Sequence, residues 1–252
     1  MKLGAQLYTV REFTKTLQDF SETLFKIAQI GYKTVQVSGT CAYEPEWLAE
    51  QLKINGLACP LTHFKSDRVA DDSATVAQEH KVFQCGIIGL GSAPGIFNGS
   101  FDYDVFRDRF LPAAKKIRDV GCILGYHNHQ FEFEKTDGIT ILERIAADFP
   151  ADTLTFILDT YWVQYAGGDP AAWIKTLSGR VHCVHLKDME IIKGEQRMAV
   201  IGEGNINFDA VLTACQCAGT QSLLVEQDDC YGENPFNCLE RSYKYLKSQG
   251  LE

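Results

Sequence analysis

CILGYHNHQFEFEKTDGITILERIAADFPADTLTFILDT, residues Cys122–Thr160, carries the pattern that decides the fold. Its first run, Cys122–His129, is short and β-rich. A helical pattern follows at Gly138–Asp148, and a second β-rich run, Leu154–Thr160, ends abruptly near Asp159. Strand, helix, strand in that order predicts parallel pairing through a right-handed crossover. The unit recurs in both directions along the chain. Further β-rich runs lie at Lys2–Val10, Lys33–Ser38, Leu57–Phe64, Ile87–Gly91, Arg180–Lys187 and Ser222–Gln227. Helical patterns separate or follow them at Lys15–Ile30, Pro45–Asn55, Ser73–Cys85, Asp104–Val120, Pro170–Leu177, Phe208–Ala218 and Pro235–Lys247. Gly31, Gly56, Gly86, Gly121 and Gly219 are placed to close helices, and Pro45, Pro170 and Pro235 to open them.

Eight such units in 252 residues predict an α/β fold, a closed (β/α)8 TIM barrel, as one domain over residues 1–252. A doubly wound open sheet is the competitor. It would carry a glycine-rich phosphate turn after its first strand, where this chain has Gln6-Leu7-Tyr8-Thr9-Val10. No low-complexity linker divides the chain.

The charge balance excludes some partners. Lys plus Arg number 24 against 33 Asp plus Glu, a net charge of -9 that repels polyphosphate and gives no drive for nucleic-acid binding. The run Lys115-Lys116-Ile117-Arg118 reads as the solvated face of a helix. Nine cysteines are scattered without a CxxC pair, and Cys59 and Cys183 sit in apolar runs as small hydrophobes, which suggests a reducing compartment. The N-terminus enters a strand at once, and no apolar run approaches the roughly 20 residues that span a bilayer. The chain is therefore expected to be soluble and cytoplasmic, without membrane or nucleic-acid partners.

In such a barrel the chemistry comes from the carboxyl ends of the strands. With a period of two, His127 and His129 share one face with Gly125. Two imidazoles there suit metal binding, proton transfer or hydrogen bonds to hydroxyls. Glu132 lies past the strand end, where alternation no longer places a side chain. Asp159 and Glu226 each end an apolar run, and Val181, Cys183, His185 and Lys187 share a face; His182 points away, toward the helices. Alone, each carboxylate reads as a helix cap or a loop hydrogen bond. Together, Asp159, Glu226 and Glu132 would repel one another at one rim unless a cation joined them. Carboxylates with imidazole suit Mn²⁺, Mg²⁺ or Co²⁺, and also admit Zn²⁺. His63, Gln6, Gln36 and Trp162 are candidate substrate contacts for a small sugar, with polar filling of the mouth or simple packing as the plain alternative. Gly202-Glu203-Gly204-Asn205-Ile206-Asn207 is too loose to cradle phosphate and reads as a loop capping the next helix.

LGAQLYTVR (3–11), GYKTVQVSG (31–39), YHNHQFEF (126–133), ILDTYW (157–162), VHLKD (184–188) and LLVEQD (223–228) stand at successive strand ends. In that order they resemble the sugar phosphate isomerase/epimerase superfamily with a xylose-isomerase-like barrel, and most closely its members with a YHNH fifth strand. The resemblance implies a metal held by Glu, Asp, His and Glu from strands five to eight. Asp159, His185 and Glu226 match the last three. The usual fifth-strand Glu-Asn-His is here His127-Asn128-His129, so Glu132 is the expected fourth ligand and His127 the alternative.

The implied activity is metal-assisted isomerisation or epimerisation by proton abstraction next to a sugar carbonyl. Glu226, or His127 or His129, would move the proton and Lys187 would balance charge on oxygen. Elimination from the same intermediate, by a keto-sugar or inosose dehydratase or a keto-glycoside lyase, is the first rival. An abasic-site endonuclease, which the acidic charge opposes, and a non-catalytic sugar-binding protein are the others. Related barrels also lead us to expect a homo-oligomer.

Overall fold

The computed structural model describes residues 1–251. Eight parallel strands form the barrel: β1 (Lys2–Gln6), β2 (Thr34–Gln36), β3 (Leu61–His63), β4 (Ile87–Leu90), β5 (Ile123–His127), β6 (Leu154–Asp159), β7 (Cys183–Leu186) and β8 (Ser222–Val225). Each pairs with the next, and β8 pairs with β1. Between β2 and β3 the ladder thins to isolated bridges, Thr34 with Ala58 and Val37 with Thr62. One helix follows each strand on the outside: α1 (Leu17–Ile30), α2 (Pro45–Asn55), α3 (Ser73–Val82), α4 (Tyr103–Asp119), α5 (Ile141–Asp148), α6 (Pro170–Thr176), α7 (Phe208–Ala218) and α8 (Pro235–Ser248).

Alternation along the strands builds two separate apolar layers. Leu154, Phe156 and Leu158 of β6, Val184 and Leu186 of β7, and Leu223 and Val225 of β8 belong to the large core between sheet and helices. Their neighbours Ile157, Cys183 and Leu224 turn inward and, with Leu61 and Ile87, fill the barrel floor. One step further along the same inward stripes stand Asp159, His185 and Glu226. Gly125 completes the floor: a Cβ there would lie 2.7 Å from Ile157 Cδ1 and 2.8 Å from Ile87 Cγ2. The absent side chain leaves room for the isoleucines beneath His127.

Several boundaries differ from the sequence reading, each for a local reason. The first strand stops at Gln6, because Gln6 accepts from the Tyr8 N–H and starts a 3-10 turn at Leu7–Phe13. Asp137 and Gly138 do not open a helix. Both take positive φ (55° and 81°) in a tight hairpin joining Lys135–Thr136 to Ile139–Thr140. The helix then begins at Ile141, where Thr140 and Glu143 form a reciprocal cap. Gly86 does not terminate α3; Gln84 takes the left-handed conformation (φ 58°) instead. A short helix at Ser66–Asp71, another at Thr160–Tyr165, and a hairpin pairing Asp188–Ile192 with Glu195–Ala199 were not anticipated. The 202–207 segment is the expected loop, with Asn207 capping α7. Among the described residues, no helix is long and apolar enough to cross a membrane.

Candidate metal centre

His127, Asp159, His185 and Glu226 come from β5, β6, β7 and the end of β8, and each offers a ligand atom within 4.8 Å of the others. All four are buried. Register brings them together: parallel pairing places Asp159 beside His185, and Glu226 follows Val225, which is paired with Leu186.

Neighbours orient every member. His127 donates from Nδ1 to the Gly91 carbonyl at 3.0 Å, leaving Nε2 3.2 Å from Asp159 Oδ2. His185 donates from Nε2 to Gln36 Oε1 at 2.6 Å, leaving Nδ1 2.9 Å from Glu226 Oε2 and 3.9 Å from Asp159 Oδ2. Asp159 divides its carboxylate. Oδ1 accepts from the Trp162 N–H at 3.1 Å as a helix cap, and Oδ2 faces the cluster. Glu226 Oε1 accepts from Gln6 Nε2 at 2.8 Å, while Oε2 faces inward. Asn128 Oδ1 accepts from the Asp159 N–H at 3.0 Å.

These residues fit a metal ion. Each imidazole has spent its N–H on an outer acceptor and turns its other nitrogen toward a carboxylate oxygen, as metal-bound histidines do. His185 Nδ1 and Glu226 Oε2 are buried and, despite their closeness, make no hydrogen bond with acceptable geometry. Two lone pairs facing one another call for a cation between them.

A resident cation already stands beside the group. Lys187 Nζ, with its side chain 1% exposed, lies 3.2 Å from Asp159 Oδ2, 3.2 Å from Glu226 Oε2 and 3.0 Å from Asp228 Oδ2. Burial opposes its charge, but the three carboxylates outweigh burial and raise its pKa well above the ordinary lysine value. Burial likewise pushes Glu226 upward; Lys187 and His185 overcome it and hold that carboxyl well below its usual range. Asp159 is lowered too, with Lys187 and His127 prevailing over burial. His127 is raised, because Asp159 and Glu226 outweigh its desolvation. His185 is lowered by burial against the pull of Glu226. Burial of Asp228 takes its carboxyl up to about 6.

Glu132, the expected fourth ligand, lies outside this cluster. The strand ends at His127, and a 3-10 turn at Phe131–Phe133 carries Glu132 into the protein. There it accepts from the Tyr126 hydroxyl at 2.7 Å and the His129 N–H at 2.9 Å. His127, the alternative, occupies the place instead. Gln6, expected at a substrate, has both amide atoms engaged, by Glu226 and the Tyr8 N–H. Gln36 orients His185 in the same way. His63 stands beside the cluster, its ring 5.0 Å from that of His127 and 5.4 Å from that of His185. His129 lies 4.7 Å from His127 and 5.3 Å from Trp162. Burial, then His127, pushes the pKa of His129 down to about 2. His63 is also held well below the ordinary histidine value, by burial and then by the neighbouring imidazoles.

Three polar residues were missed by sequence reading. Asp228, two positions past Glu226, was legible in principle from alternation. Asn128 gave no signal. Asp188 is buried and accepts backbone N–H groups of Met189, Gly202, Gly204 and Ile206 at 2.8–3.1 Å, which pins the 202–207 loop.

Fold and site together define a (β/α)8 barrel whose mouth holds a buried His/Asp/His/Glu group able to bind a metal ion. A family model described as xylose isomerase-like TIM barrel matches residues 24–235, and the chain belongs to that family. No curated protein matches it. Among solved structures it is similar to a sugar phosphate isomerase/epimerase from Parabacteroides distasonis ATCC 8503. That match has 22% identity and a TM-score of 0.81, covering 98% of this chain and 93% of that one. It is similar to an L-ribulose 3-epimerase at 15% identity and TM-score 0.76, with 100% and 95% covered. A protein described as the probable 3-DHS dehydratase AsbF from Bacillus anthracis matches at 16% identity and TM-score 0.73, with 98% and 99% covered. At these identities the likeness is one of fold.

Proposed function

We propose that this protein is a metal-dependent isomerase or epimerase that abstracts a proton next to the carbonyl of a small sugar. The observation that carries the reading is the convergence of His127, Asp159, His185 and Glu226 from four neighbouring strands, with both imidazoles turned inward by outer acceptors. We assign the ion to these four residues. A set with two imidazoles favours Mn²⁺, Co²⁺ or Zn²⁺ over Mg²⁺. When bound, the ion would supply Lewis-acid polarisation of adjacent carbonyl and hydroxyl oxygens.

The remaining steps belong to the chain. Glu226, ionised and steadied through Oε1 by Gln6, takes the proton from carbon. Lys187 balances the negative charge that develops on the substrate oxygen, and the two carboxylates beside it fix its position. Return of the proton by Glu226 to the neighbouring carbon gives the isomer. Delivery by His129, whose Nδ1 has no protein partner, gives the epimer. Trp162 and His63 flank the substrate. Elimination by a keto-sugar or inosose dehydratase or a keto-glycoside lyase is the second reading. It is favoured by one observation: Glu132 is tied to Tyr126 and His129, so the fifth strand offers no second free carboxylate as an acid–base partner.

Two outcomes check the ligand assignment. Glu132→Gln is expected to keep one equivalent of metal per chain, whereas His127→Ala weakens binding by roughly 10–100-fold or more; elemental analysis after dialysis distinguishes them. Metal uptake is also expected to release about one proton near neutral pH, because the raised His127 is protonated before binding and must be neutral to ligate. Affinity therefore rises with pH until the raised pKa of His127 is passed, and calorimetry in buffers of differing ionisation enthalpy measures the proton.

NMR in D2O with Mn²⁺ and a panel of ketoses, inososes and 3-keto-glycosides tests the activity. Solvent deuterium entering one carbon of one substrate class is the expected result. Metal-loaded protein that exchanges none of them would overturn the proposal.

A further inference from the structure

The charges and the unused hydrogen-bonding atoms around the cluster bear on what kind of sugar it accepts. Asp159, Glu226 and Asp228 surround the single ammonium of Lys187, and all three contact it. A divalent cation added to this group cancels the remaining negative charge and leaves no surplus positive charge. Arg11 reaches the same rim, but its Nη1 donates to the Tyr8 and Asp228 carbonyls at 2.9 Å and its guanidinium lies 4.3 Å from the Tyr8 ring centroid. A phosphate dianion entering here would lose its hydration without gaining a counter-charge.

What the wall does offer is neutral. His63 Nε2, His129 Nδ1, Asn128 Nδ2, Trp162 Nε1 and Gln36 Nε2 are buried atoms without protein partners. Each residue is tied closely to the cluster. His63 and His129 pack on His127, Asn128 binds the Asp159 backbone, Gln36 binds His185, and Trp162 stacks near His129. Buried polar atoms left unpaired are costly, so a ligand bearing many hydroxyls gains by satisfying them. Aromatic rings continue the wall outward: Phe97, exposed, packs 4.9 Å from His129, and Tyr165 lies 5.6 Å from Trp162. Such faces suit the apolar side of an uncharged ring.

We propose that the site selects an uncharged polyhydroxylated substrate and excludes the phosphorylated form of the same sugar. The inference rests on the metal-dependent reading above and narrows its substrate class.

The test uses Mn²⁺-loaded full-length protein and matched pairs: D-fructose with D-fructose 6-phosphate, D-ribulose with D-ribulose 5-phosphate, and D-xylulose with D-xylulose 5-phosphate. Solvent deuterium exchange is followed, and metal content is confirmed after each run. In any pair that reacts, kcat/KM for the free sugar is expected to exceed that for its phosphate by about 100-fold or more. Asp228→Asn, which removes one negative charge, is expected to narrow that ratio by about tenfold. A phosphate ester that reacts as fast as the free sugar overturns the inference while leaving the metal-dependent reading intact. A ratio unmoved by Asp228→Asn removes its electrostatic basis. Exchange with no member of any pair, in protein shown to hold its metal, counts against the underlying reading and takes the inference with it.

Discussion

Asp159→Asn is expected to lower sugar-dependent solvent exchange by at least about a thousandfold. The substitution separates the two jobs of this side chain. The amide oxygen can still accept from the Trp162 N–H, so the cap on the Thr160–Tyr165 helix survives, while the charged Oδ2 that faces His127 and Lys187 is lost. Helix content and melting temperature of the metal-free protein are therefore expected to change little, whereas metal content falls. Glu226→Gln should behave alike, since Gln6 can rotate its amide to meet the new side chain. Exchange rates measured on variants with wild-type circular dichroism decide the matter. If both retain substantial exchange, the cluster is not the reactive site.

Lys187→Ala is expected to produce the largest loss of stability of any single change at the mouth. The lysine is buried against three carboxylates, and removing it leaves Asp159 and Glu226 facing each other without compensation. Breaking a buried ion pair by deleting one partner costs about 3–5 kcal/mol, which lowers the melting temperature of a chain this size by roughly 10 °C. Because Asp159 and Glu226 are both held ionised, the deficit should persist at neutral pH and shrink as acid protonates them. Added Mn²⁺ should restore part of the loss by supplying positive charge in the same place. Thermal melts with chelator and with Mn²⁺ measure both effects; an unchanged metal-free melt would show that these charges do not depend on one another.

Much of the barrel was legible because its strands are short, apolar and regularly spaced, with α2 and α7 bounded as read. Apolar runs stopping at Asp159, His185 and Glu226 placed those residues at the mouth, since a carboxylate or imidazole at the end of a packed strand has few other places to go. What failed was whatever depends on the chain after it leaves the sheet. Alternation ends at His127, and the turn that follows buries Glu132 beneath Tyr126, a rotation that no period encodes. Gln6 and Gln36 were correctly set near the rim, but only the closed register reveals that they steady Glu226 and His185. Asp188 and the hairpin it starts were missed because its partners are backbone N–H groups up to 18 residues away.

X-ray absorption at the metal edge of Mn²⁺-, Co²⁺- or Zn²⁺-loaded protein looks straight at the group on which the account depends. One ion per chain with two imidazole nitrogens in its coordination shell is the predicted spectrum, reduced to one imidazole in His127→Ala. Failure to take up any ion, or a shell with a single imidazole and three carboxylates, would contradict it.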